Sequence, residues 1–152
     1  MPPTAGDGGL FVYGSLLFPE VLLALVDRVP SRTPATAPGW RVAALPGRVY
    51  PGLVPGPGSA PGLLMSGLAG EDWDTLTAFE GDLYDLRRLS LAGAPPAWTF
   101  VWGASSTASS LDWVPKEFAE RVLPAYVEGC RAWRQRYEAA PVARVAPRPG
   151  RR

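Results

Sequence analysis

Proline and glycine interrupt the apolar stretches of this sequence, and that feature limits the folds open to it. The chain has 18 prolines and 17 glycines among 152 residues. Because proline lacks a backbone donor and both residue types favour turns, the regular elements should be short and the turns numerous. A chain of this length suits one domain with a single core.

Hydrophobic patterning predicts short strands mixed with a few helices. The predicted strands cover residues 10–14, 40–45, 62–68, 84–91 and 98–102, with a broken extended segment at 49–54. The predicted helices cover residues 18–28, 71–79 and 115–137, and Pro124 should kink or break the last of them. Residues 30–39 are expected to form a linker, residues 55–61 a loop, and residues 93–96 the turn of a hairpin. Without regular βαβ alternation, this pattern predicts an α+β fold: a small mixed β-barrel or sheet with flanking helices.

The charge pattern separates a body from a tail. The formal net charge is +1, yet residues 141–152 alone contain Arg144, Arg148, Arg151 and Arg152. The remaining body is weakly acidic, which does not indicate a nucleic-acid surface. We expect a flexible arm over residues 1–9, the folded domain over 10–140 and a disordered basic tail over 141–152. The tail is either an electrostatic tether or a solvated extension.

The compartment is predicted from what the sequence lacks. Cys130 is the only cysteine, so it cannot form an internal disulfide, which fits a reducing cytoplasm. The N-terminus shows no basic segment followed by a long apolar run, so no signal peptide is expected. No apolar run is long enough to span a membrane, so no membrane partner is expected either. The sequence leaves the oligomeric state open.

The absence of histidine restricts the chemistry. Without histidine a Ser-His-Asp or Cys-His arrangement is impossible, and one cysteine cannot build a zinc cage. Any proton transfer near neutral pH must therefore use a carboxylate, a tyrosine, Cys130 or Lys116. Ser15 has no histidine to activate it and is expected to be a loop residue, and Cys130 is expected to be a buried small hydrophobe.

The loop after the first predicted strand is a candidate anion site. Gly14 allows the chain to turn, and successive backbone N–H groups before a helix start can form a small nest for a carboxylate. A strand that ends in Gly-Ser is also common in loops without any binding role. Tyr13 could belong either to the core or to the rim of a pocket.

Glu80 is the candidate acid–base. It ends a helix whose apolar residues are Trp73, Leu76 and Phe79, and Gly81 suits the position after the helix end. The negative end of the helix dipole and aromatic neighbours would both disfavour ionisation and raise the pKa of Glu80. The alternative is an ordinary surface acid at a helix end. The other acids are expected to face solvent; Glu71, Asp72 and Asp74 lie in the first turn of that same helix.

Taken in order, several segments carry a resemblance to a known family. They are Tyr13-Gly14-Ser15-Leu16 after the first strand, Arg48-Val49-Tyr50-Pro51-Gly52-Leu53, and Phe79-Glu80-Gly81-Asp82-Leu83-Tyr84. Together they resemble the γ-glutamylcyclotransferase family, and more closely its AIG2-like branch. The likeness extends over residues 10–137.

The resemblance implies a compact mixed barrel with flanking helices and a cavity at its mouth. It implies that backbone amides of the loop Tyr13-Gly14-Ser15-Leu16 bind the α-carboxylate of a γ-glutamyl substrate. It also implies that Glu80 is the catalytic acid–base and that Tyr50 and Tyr84 line or support the pocket. The expected reaction cyclises the γ-glutamyl group to 5-oxoproline and releases an amine, an acyl transfer without cofactor or metal. Many relatives read Tyr-x-Arg-Arg after the tyrosine; here Leu86 replaces the first arginine, which puts that arginine's role in doubt.

Two alternative functions remain at this point. The same chemistry could remove a γ-glutamyl group from a biosynthetic intermediate, with a larger leaving amine. The scaffold could instead be a non-catalytic module that binds a small ligand or a partner. The retained Glu80 weighs against the second alternative, because a binding module gains nothing from a partly buried acid.

Overall fold

The computed structural model describes residues 8–139, which form five strands and four helices. The strands are β1 (Leu10–Val12), β2 (Ser31–Ala43), β3 (Gly52–Ser66), β4 (Tyr84–Leu91) and β5 (Ala94–Trp102). The helices are α1 (Pro19–Val26), α2 (Gly70–Glu80), α3 (Pro115–Arg121) and α4 (Leu123–Ala139). Three short 3-10 turns cover Ser15–Leu17, Gly81–Leu83 and Ser105–Thr107.

The strands form one mixed sheet that closes on itself. The strand order is β2-β3-β1-β5-β4, with β1 antiparallel to β3 and parallel to β5. The two outer strands meet through an isolated bridge, in which the Ala92 N–H donates to the Thr36 carbonyl at 3.0 Å. The fold is therefore α+β with a small mixed barrel and flanking helices, as the sequence predicts.

The side chains on the two faces of β1 pack into two separate apolar clusters. Side chains alternate along a strand, so Leu10 and Val12 point one way while Phe11 and Tyr13, which follows the strand, point the other. Leu10 and Val12 join a large cluster that packs all four helices against the sheet. Phe11 and Tyr13 join a smaller cluster built from strand side chains. The end of β1 thus lies where both clusters meet.

The β2–β3 ribbon is longer than the sequence indicates. Residues 30–39 and 55–61, predicted as a linker and a loop, lie almost entirely within β2 and β3. Over this stretch the two strands pair with each other, β1 pairs with residues 63–65, and the outer edge of β2 makes the Thr36–Ala92 bridge. Each proline can therefore turn its donor-less nitrogen away from the partner strand. A register shift between Pro38 and Trp40 bends the ribbon.

The predicted hairpin and the predicted helix break are both present, with different bounds. Only Ala92 and Gly93 separate β4 from β5, so β5 begins at Ala94 and not at Trp98. The C-terminal helix divides at Val122 into α3 and α4. Pro124 lies in the first turn of α4, where a missing N–H costs no intrahelical bond. The prediction of a break near Pro124 is confirmed.

The predicted arm and tail fall outside the described region, apart from Gly8 and Gly9. The proposed domain bounds therefore stay a prediction. No helix within residues 8–139 combines the length and the apolar composition that a membrane crossing requires.

Candidate functional site

The loop after β1 is fixed by a close contact with the segment before β3. A Cβ atom added to Gly14 would lie 2.7 Å from Pro51 Cγ and 2.9 Å from Pro51 Cδ, so only glycine fits without a shift. The chain then enters a 3-10 turn, in which the Leu17 N–H donates to the Gly14 carbonyl at 2.9 Å. The amides of Ser15 and Leu16 precede this first bond of the turn.

Two tyrosine hydroxyls tie the loop to distant parts of the chain. The Tyr13 hydroxyl donates to the Phe100 carbonyl on β5. The Tyr126 hydroxyl on α4 donates to Ser15 Oγ at 3.2 Å, and both residues are buried. This contact agrees with the expectation that Ser15 is a loop residue. No local pattern in the sequence indicates the contact between Tyr126 and the loop.

Glu80 is the last residue of α2 and is only 6% exposed. Phe79 beside it packs edge-on against Trp133 of α4, with ring centroids 5.1 Å apart. Gly81 ends the helix with a φ of 70°, a conformation that glycine adopts without steric cost. The carboxyl group is therefore held at the negative end of a helix dipole, on the buried side of the helix.

Glu80 and the loop line one cavity. Its walls combine the loop, the end of α2 and neighbouring strand residues: Phe11, Val12, Tyr13, Gly14, Ser15, Leu16, Pro51, Glu80, Tyr84 and Phe100. The cavity has a volume of about 20 Å³, which is room for about one water molecule. The structure thus brings together Glu80 and the four loop residues singled out in the sequence.

Tyr84 lines this cavity and Tyr50 does not. The Tyr84 hydroxyl donates to the Pro51 carbonyl at 2.7 Å, which ties the turn after Glu80 to the residue that contacts Gly14. Tyr50 is fully buried behind it, with its ring centroid 6.3 Å from that of Tyr84. Tyr50 therefore supports the wall from outside. Pro51 lies in one of the segments that carry the family resemblance, so its position was within reach of the sequence.

The β4 residues after Tyr84 do not line the cavity. Leu86, which replaces the arginine of many relatives, is half-buried on β4 and is not among the cavity residues. Arg87 is exposed and lies over the Trp40 ring, 5.9 Å from its centroid. Neither residue contributes a positive charge to the wall of this cavity.

One acid departs from the expectation of solvent exposure. Asp72 is buried, and its carboxylate accepts hydrogen bonds from Arg28 at 2.6 Å and from the Ala69 N–H at 2.9 Å. The carboxylate thereby caps the start of α2 and ties it to the segment after α1. The prediction for Asp72 was wrong because the pairing with Arg28 is a tertiary contact.

The remaining candidate groups lie elsewhere. Cys130 is fully buried on α4, and Lys116 is exposed at the start of α3. Within residues 8–139 no cluster of three or more histidine, cysteine, aspartate or glutamate residues could hold a metal ion. The ionisable groups in the wall of the cavity are Glu80 and the tyrosines.

Residues 10–117 match the family model described as gamma-glutamyl cyclotransferase, AIG2-like. The match covers well over half of the chain and includes the loop, Pro51 and Glu80. The chain belongs to this family.

Two similar proteins of Arabidopsis thaliana show how far the likeness extends. AIG2-like protein C is 39% identical over 83 residues, which are 54% of this chain and 48% of that protein. AIG2-like protein A is 38% identical over 77 residues, which are 50% of this chain and 47% of that protein. The matched part of the chain thus spans about half the length of these relatives.

Two solved structures share the architecture. The solution structure of one Arabidopsis thaliana protein is similar with a TM-score of 0.61 and 26% identity, covering 87% of this chain and 91% of the other. A second solution structure from the same plant gives a TM-score of 0.62 at 23% identity, covering 90% and 85%. The second likeness shows the fold alone.

Proposed function

We propose that the chain cyclises a γ-glutamyl group to 5-oxoproline and releases an amine. The α-amine of the γ-glutamyl group attacks its own γ-carbonyl carbon, and a ring C–N bond forms. The bond from that carbon to the outer amide nitrogen breaks. Glu80 takes a proton from the α-ammonium group and gives one to the departing nitrogen, so one carboxyl group acts first as base and then as acid. Atoms and charges balance without a redox partner.

One observation carries this proposal: a buried carboxyl group and the amide-rich turn line the same cavity. Glu80 and the residues Gly14, Ser15 and Leu16 all belong to its wall. In the proposed complex the loop amides hold the α-carboxylate of the substrate, as the start of a helical turn favours an anion. Because nucleophile and electrophile belong to one molecule, holding one end fixed is a large part of the catalysis.

The environment of Glu80 suits a group that must exchange protons. Burial disfavours the charged carboxylate, and the negative end of α2 acts in the same direction. We therefore expect the pKa of Glu80 to lie above that of an exposed glutamate. A raised value brings the base and acid forms closer to equal population at neutral pH.

The cavity must widen when substrate binds. Its volume of about 20 Å³ holds about one water molecule, and a γ-glutamyl group is several times larger. Gly14, Ser15 and Leu16 belong to a short turn, whereas Glu80 ends a regular helix. We propose that the turn moves and that Glu80 keeps its place.

The first test is Glu80→Gln. We expect turnover of γ-glutamyl amides, measured as 5-oxoproline by mass spectrometry, to fall about 10²- to 10⁴-fold. The melting temperature should change little, because the amide has nearly the same shape. The matched control is Glu71→Gln, which changes an exposed glutamate at the other end of α2.

The outcomes separate the alternatives. An unchanged rate in Glu80→Gln would remove Glu80 from the mechanism. A panel of γ-glutamyl amines, γ-glutamyl dipeptides and glutathione that yields no 5-oxoproline would favour a binding module. Product only from a large γ-glutamyl conjugate would favour removal of a protecting group in biosynthesis. A small-molecule substrate, the lack of nucleic-acid and membrane partners, and a cytoplasmic location stay predictions.

A further inference from the structure

A second, larger cavity lies next to the candidate site. We name it the side groove and define it by Tyr13, Leu17, Val42, Ala60 and Trp113, which contribute to its walls. Its volume is about 350 Å³, within the range of small-molecule sites, which is roughly 300–1,000 Å³. The groove spans the bend of the β2–β3 ribbon, because residues on both sides of the register shift line it.

The side groove and the small cavity share a wall. Tyr13 lines both of them, and Leu16 and Leu17 are successive residues that line one each. The Tyr13 hydroxyl donates a hydrogen bond to the Phe100 carbonyl, which holds the Tyr13 ring between the small cavity and the side groove. A molecule bound at the loop therefore has this groove as its immediate neighbour.

We propose that the side groove binds the substituent on the amide nitrogen of the γ-glutamyl amide and selects a substituent that is uncharged and apolar. The inference rests on the proposed function and names its substrate class. The γ-glutamyl head occupies the widened cavity at Glu80, and the group on the other side of the scissile bond lies along Tyr13 into the groove. Buried Val42 and Ala60, together with the half-buried Trp113, offer an apolar surface there.

The charges at the groove's rim argue against an amino-acid leaving group. Arg41 is the positive charge in the wall, and it is paired with Asp112 at 3.2 Å while also donating to the Ser109 carbonyl. The charges of Arg41 and Asp112 therefore sum to zero. The carboxylate of a leaving glycine or dipeptide would have to compete with Asp112 for Arg41, and it would lose solvation in an otherwise apolar groove. An alkyl or aryl amine pays neither cost.

The inference is tested with three substrates that share one γ-glutamyl head: the benzylamide, the ethylamide and γ-glutamylglycine. We expect kcat/KM to be highest for the benzylamide and at least about tenfold lower for γ-glutamylglycine, since contacts of a single methylene or more give factors of this size. The ethylamide should fall between them.

Two variants locate the preference in the groove. Ser59→Trp places a large ring at an exposed position of the groove wall and should lower kcat/KM for the benzylamide several-fold more than for the ethylamide. Ser90→Trp, at an exposed position on β4, is the matched control and should leave the order unchanged. Asp112→Asn frees Arg41 and should raise kcat/KM for γ-glutamylglycine selectively.

The failures are distinguishable. If γ-glutamylglycine is cyclised as well as the benzylamide, or if Ser59→Trp affects both amides equally, the groove assignment is overturned while the proposed reaction stands. If only a larger γ-glutamyl conjugate yields 5-oxoproline, the groove assignment is overturned while the reaction stands. If neither the three compounds nor a larger conjugate yields 5-oxoproline, the proposed function falls, and this inference falls with it.

Discussion

At the scale of single residues, Gly14 lies so near Pro51 that a Cβ atom on Gly14 would have no room. The carbonyl of Pro51 also accepts the hydrogen bond of Tyr84, four residues after Glu80. The contacts of Pro51 with Tyr84 and with Gly14 therefore connect the segment after Glu80 to the loop on the other side of the cavity.

The contact between Gly14 and Pro51 predicts the behaviour of a double mutant. Gly14→Ala places a Cβ against the proline ring and should raise KM about tenfold, since overpacking costs about 1–3 kcal/mol. Pro51→Ala removes the two ring carbons that cause the clash. The double variant should therefore recover much of the lost affinity, and steady-state kinetics on the four proteins gives the coupling. Additive effects would show that the loop is not positioned by Pro51.

Single residues differ in how far the sequence determines their position. Glu80 was identifiable because its helix pattern and Gly81 are local signals. Asp72, in the same helix, was misplaced on the surface, because its partner Arg28 lies in a distant segment, between α1 and β2. The hydroxyl of Tyr126 contacts Ser15, a residue 111 positions away, and no local signal in the sequence indicates that contact.

At the scale of elements, the contacts of Asp72 hold the start of α2, the helix that ends at Glu80. Asp72→Ala removes a helix-capping carboxylate and a partly exposed ion pair, and should destabilise the protein by about 1–2 kcal/mol. Asp74→Ala, an exposed change in the same turn of the helix, is the matched control and should cost far less. Urea unfolding curves of the two variants provide the comparison, and equal losses would contradict the capping role.

The elements themselves were predictable where the signal was local. The apolar run of β1, the aromatic spacing of α2 and the break before Pro124 all depend on residues within about one or two turns of each other. The β2–β3 ribbon was missed at residues 30–39 and 55–61, because its prolines resemble a linker. These residues are extended only because each strand supplies the other with partners, such as Ala37 opposite Ala60.

At the scale of the whole molecule, the barrel closes through the bridge between Thr36 and Ala92. Ala92 is an exposed residue beside a tight turn, where amide hydrogens ordinarily exchange with solvent quickly. Because its N–H donates to Thr36, we expect this amide to be protected in hydrogen exchange followed by NMR. Exchange at the rate of an open turn would show that the sheet is not closed at this edge.

The sequence by itself determined the chemistry that the chain can offer and the elements with local signals. Without histidine, and with a single cysteine, a carboxylate remained the best candidate for moving protons. The helix pattern and Gly81 singled out Glu80. Only the tertiary structure decided that Glu80 and Gly14 share one cavity, that Pro51 fixes the loop, and that an apolar groove adjoins Tyr13. Local patterns act over a few residues, whereas these features depend on strand pairing and packing between distant segments.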